Sequence, residues 1–74
     1  MEITVAVHQE RDGFWSDIAE LPGCFASGRT LSELAEALSE AIGLYLDDDP
    51  VELGARSLHV GQVTLELPLR RTAT

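Results

Sequence analysis

Cysteine is almost missing from this chain of 74 residues, in which Cys24 stands alone. A single cysteine excludes an internal disulfide and a four-cysteine zinc site. Basic side chains are scarce too, five against thirteen acidic ones, for a net charge of −8. Phosphate backbones repel such a surface, so direct binding to nucleic acid is not expected. No apolar run approaches the roughly 20 residues that a membrane helix needs. The chain opens on Glu2 and an alternating run, not on the basic start and continuous apolar stretch of a signal peptide. A soluble cytoplasmic protein without a membrane partner is the expectation.

What is present is enough for one thin core. Hydrophobic residues make up 45% of the chain, an ordinary share for a globule. A chain this short buries only about 60% of the surface it exposes when unfolded. Small domains usually add a disulfide, a metal or a partner subunit. Self-association into a dimer or tetramer is therefore expected. The excess acid either steers a basic partner or simply keeps a small protein dispersed.

Residues 2–8 alternate, with Ile3, Val5 and Val7 on one side and Thr4, Ala6 and His8 on the other, the pattern of a half-buried strand. Gln9 to Gly13 is polar and ends in Asp12-Gly13, a hairpin signal. A returning strand is predicted over 14–19. Leu21-Pro22-Gly23 forms a corner, and a short strand follows over 24–28.

Thr30 and Glu33 form a capping box ahead of a helix over about 31–46. Leu31, Leu34, Ala35, Leu38, Ala41, Ile42 and Tyr45 make its apolar stripe. Asp47-Asp48-Asp49-Pro50 should end it. After a connector over 51–56, a final strand is predicted over about 57–69, with Gly61 at a phase slip that reads as a β-bulge. The fold class is α+β: a two-layer β-β-β-α-β domain spanning 1–74. The last strand is expected to lie beside the first and run parallel to it after a right-handed crossover. Only one sheet face is covered by the helix, which leaves the other for a second subunit or a partner.

The ordered set Asp12, Gly13, Trp15, Leu21, Pro22, Gly23, Cys24, Gly28, Thr30, Glu33, Glu40, Ala41, Ile42, Tyr45 and Leu46 resembles the HicB family, the antitoxins of HicA–HicB toxin–antitoxin pairs. The resemblance implies a partial ribonuclease-H-like domain whose partner is a small basic ribonuclease, the HicA toxin. Family members commonly show Pro-Asp where this chain has Ala19-Glu20. Many also continue into a DNA-binding segment, whereas this sequence stops at Thr74 and offers only Arg70-Arg71. Toxin binding, without operator binding, is what the resemblance leads one to expect.

Other chemistry finds little in the residues. Gly13, Pro22 and Gly23 read as backbone geometry, and Cys24 as a small buried apolar side chain with nothing basic beside it in sequence to activate it. His8 and His59 supply too few ligands for a metal. Asp47-Asp48-Asp49 lacks the spaced ligands of a calcium loop. Ribonuclease-H-type catalysis requires several converging carboxylates, and the first two strands offer only Glu2 and Asp17. No catalytic residue, cofactor or metal is assigned, and an enzyme is not expected.

The partner-binding candidates are Trp15, a large amphipathic anchor, with Asp12, Asp17 and Glu20 around it to meet a basic surface. Three readings follow. The leading one is an antitoxin, and the next is a HicB-like interaction module of unknown target. The third is a small metal-dependent hydrolase. An adjacent gene for a small basic protein favours the first and its absence the second. Metal-stimulated RNA cleavage lost on mutating Asp17 favours the third.

Overall fold

Alternation along the first strand sets up both layers. In a computed structural model, which describes residues 1–67, β1 (Glu2–Glu10) buries Ile3, Val5 and Val7 on one side. It pairs antiparallel with β2 (Gly13–Ile18), which pairs antiparallel with β3 (Phe25–Gly28). The fourth strand, β4 (Gly61–Glu66), adds to the free side of β1, giving the order β3-β2-β1-β4. The expected β-β-β-α-β order and the single helix layer are present.

The helix α1 (Leu31–Tyr45) packs Leu34, Ala35, Leu38 and Ile42 onto the buried sheet face, where they meet Ile3, Val5, Val7, Ile18 and Val63. Thr30 caps it, its hydroxyl accepting from the Glu33 backbone N–H at 3.1 Å, and the Glu33 carboxylate accepts in return from the Arg29 N–H at 2.9 Å. The return bond thus lands one residue before the cap. Gly28 lets β3 run directly into this first turn, because a Cβ there would sit 2.5 Å from the Leu34 nitrogen. At the other end Asp47 takes a left-handed φ of 56°, and the Asp47 and Asp48 N–H groups bond to the carbonyls of Leu44 and Gly43. This is a Schellman ending, which satisfies carbonyls that the helix itself leaves unpaired.

Four expectations need correction. The last strand runs antiparallel to β1, with Ile3 opposite Leu65 and Val7 opposite Gly61. The reason is the connector 46–60, which doubles back along the helix before β4 begins. The Ser39 hydroxyl donates to the Val51 carbonyl, a 3-10 turn spans Ala55–Ser57, Leu58 is buried, and Val51 and Leu53 pack against the core. A direct run into a parallel strand would leave those apolar side chains in water.

Secondly, Gly61 is no bulge. It opens β4 at a φ of +113°, so the strand starts at 61 rather than 57, and among the described residues it ends at Glu66. Leu69 and Arg70-Arg71 lie outside the described residues. Thirdly, Tyr45 is exposed at the end of the helix stripe, and Gly43 is buried there instead, against Asp49 and Pro50. Finally, the hairpin loop is Arg11-Asp12, because Gly13 already pairs with Glu10. Gly13 takes a φ of +152°, and any side chain on it would strike the Gly28 carbonyl.

One polar atom is left in the core. Ser16 is fully buried, and its hydroxyl has no hydrogen-bond partner among the described residues.

Candidate partner-binding face

The strand alternation that fills the core also populates the opposite, uncovered sheet face. Strand register places Glu2, Thr4, Ala6, His8 and Glu10 of β1 there, beside Trp15 and Asp17 of β2. Phe25 and Ser27 of β3 and Gln62, Thr64 and Glu66 of β4 complete it. Acids are frequent on this face, and among the described residues it carries no arginine or lysine.

Trp15 is the centre of its best-ordered part. It stands directly opposite His8 in the register, and the two rings stack with centroids 4.1 Å apart and planes at 22°. The indole N–H donates to the Glu10 carboxylate at 3.0 Å. His8 Nε2 lies 3.1 Å from Asp17 Oδ1, which completes a chain Glu10–Trp15–His8–Asp17. A ring held at its plane and at its nitrogen presents a broad surface that is already ordered, so little side-chain entropy remains to be lost on contact. Phe25 stands opposite Asp17 and is 61% exposed, which extends the aromatic surface toward the β3 edge.

Glu20 sits at the opposite end of the same face. Its carboxylate accepts from the Thr4 backbone N–H at 2.6 Å and from the Thr4 hydroxyl at 2.9 Å. The backbone bond is the main reason its pKa lies below the ordinary glutamate value, with partial desolvation opposing it. Glu2 and Glu66 are directly opposed at this end, and the N-terminal ammonium bonds to the Glu66 carboxylate at 2.9 Å. That cation offsets part of a like-charge pair that would otherwise destabilise the sheet.

Of the four residues singled out from sequence, the fold places Trp15, Asp17 and Glu20 along one face. Asp12 lies apart, in the hairpin loop. It lines an open cleft of about 700 Å³ with Arg11, Trp15, Ser27, Arg29 and Glu33. His8, Glu10 and Phe25 were missed. A two-residue loop at Arg11-Asp12 would have found the first, since that register alone puts His8 opposite Trp15.

Among the described residues no group of three or more His, Cys, Asp or Glu side chains is placed to hold a metal ion. His59 lies in the turn before β4, its Nδ1 3.0 Å from the Val60 carbonyl oxygen. The Asp48 carboxylate accepts from the Asp49 N–H. Cys24 is buried, which pushes its thiol pKa up and keeps it protonated and unreactive. No helix among the described residues is long and apolar enough to cross a membrane.

No family model matches the chain, and no solved structure matches it. Curated relatives do. UPF0150 proteins of Archaeoglobus fulgidus and of Thermoplasma acidophilum are each 35% identical to it over 48 residues, which is 64% of this chain and 70% of each relative. With that identity over that share of each relative, the chain belongs to the UPF0150 family.

Proposed function

We propose that this protein is a HicB-like antitoxin domain that binds a cognate basic ribonuclease of the HicA type and masks it by contact, without catalysis. The observation that carries the reading is the uncovered sheet face, where a pre-ordered Trp15–His8 stack and an exposed Phe25 lie among carboxylates with, among the described residues, no basic side chain beyond His8. Membership of UPF0150 and the ordered motif from Asp12 to Leu46 support the family side of the reading.

An RNA-cleaving protein must present cations to phosphate. A rigid acidic face competes for those cations, and its aromatic centre supplies the desolvated anchor that dominates interface energies. In this reading Trp15 is the anchor, Asp17 and Glu20 meet the partner's cations, and Asp12 extends the contact at the hairpin loop.

Isothermal titration with a small basic HicA-type ribonuclease, taken from the adjacent gene where that gene encodes one, provides the test. Trp15→Ala combined with Asp17→Lys should weaken binding at least tenfold, about 1.4 kcal/mol, while the variant melts as a folded protein. Unchanged affinity removes these residues from the interface. Failure of the wild-type chain to bind at all favours an interaction module with another target.

A further inference from the structure

The two edges of the sheet are built differently. At one edge β3 is only four residues long, follows the Pro22-Gly23 corner and runs under the first turn of α1. Such an edge is short and partly covered, two of the usual defences against pairing with another chain. At the other edge β4 spans six residues, Gly61–Glu66, and among the described residues only its β1 side is paired. It contains no proline and no lysine, and its one charged residue, Glu66, is at its end.

We infer that the outer edge of β4 is where a second copy of this chain docks, antiparallel about Thr64, joining two sheets into one of eight strands. Residues directly opposed across an antiparallel pair point to the same face. A two-fold pairing must therefore centre on a residue of β4 rather than between two residues. Centring on Thr64 opposes Thr64 to its own copy, Val63 to Leu65 and Gln62 to Glu66. Every pair is then compatible: a threonine pair, an aliphatic pair on the helix side, and an amide that can donate to a carboxylate. No acid faces an acid, which matters for a chain of charge −8. The contact is isologous, so it closes at two copies and does not grow into a fibre. It also leaves His8, Trp15 and Phe25 uncovered, one, two and three strands away, so it stands whether or not the antitoxin reading does.

The full chain should sediment as a dimer of twice 8.0 kDa at concentrations of about 100 µM. Thr64 is exposed, and Thr64→Lys puts two ammonium groups face to face, which should weaken the dimer at least tenfold with an unchanged far-ultraviolet spectrum. Under mild oxidation Thr64→Cys should cross-link to its own copy. Gln62→Cys, opposed to Glu66, should not, and this pair of variants reads the register even if the lysine variant fails to fold. A monomeric wild type at that concentration, a Thr64→Lys dimer of wild-type strength, or equal cross-linking at positions 62 and 64 would each overturn the inference.

Discussion

The two faces of this sheet come from the same strands and do opposite things. Toward the helix, Ile3, Val5, Val7 and Ile18 are almost wholly buried. Toward solvent, their immediate neighbours Thr4, Ala6, His8 and Asp17 leave polar and aromatic surface open. The covered face supplies stability through apolar area, which is non-directional. The open face is organised by directed contacts: a ring stack, an indole hydrogen bond and a histidine–carboxylate contact. Substitutions on the first face should therefore be felt as unfolding, and substitutions on the second as lost recognition.

Leu38→Ala should break the covered face most severely. Leu38 is fully buried beneath the sheet, and truncation there costs about 2–5 kcal/mol in well-packed cores. A domain this small cannot spare that much, so thermal melts should show a variant largely unfolded at 37 °C. The double substitution at Trp15 and Asp17 should do the reverse, with binding at least tenfold weaker and a melting temperature near that of the wild type. If both variants lose stability equally, the division between the faces is wrong.

Ser16→Ala sharpens the contrast from inside the core. Its hydroxyl is buried without a partner among the described residues, and burying such a group costs about 1–3 kcal/mol. Alanine removes the polar atom but opens a small void, so a net gain of up to about 1 kcal/mol is expected in urea unfolding. Any clear loss would mean that the hydroxyl has a partner in solution.

The smallest effect belongs to Glu20. Its folded pKa is depressed, so ionised Glu20 favours the native state, and this contribution is fully present above the ordinary glutamate pKa of about 4.3. It is lost as pH falls through the lower folded value. Melting curves of wild type and Glu20→Gln should accordingly differ most near neutrality and converge as pH falls through that lowered value.

Much of this architecture is legible residue by residue. The alternation from Ile3 to Val7 announces which side of β1 is buried, because a strand's side chains point to opposite faces in turn. Thr30 and Glu33 mark the helix start because they satisfy its first N–H groups locally. Gly28 figures in the family motif, yet its task emerges only once β3 and α1 are seen to touch. The same holds for His8, which in one dimension is merely a possible ligand.

Local patterning by itself determined the covered face, the helix and its cap, and the scarcity of positive charge, since each depends on neighbours within a few residues along the chain. The direction of β4, and with it the contrast between a sheltered sheet edge and one left bare among the described residues, was decided only in three dimensions. Both depend on where a 15-residue connector finds burial for Val51, Leu53 and Leu58, and burial of that kind is a property of the assembled core.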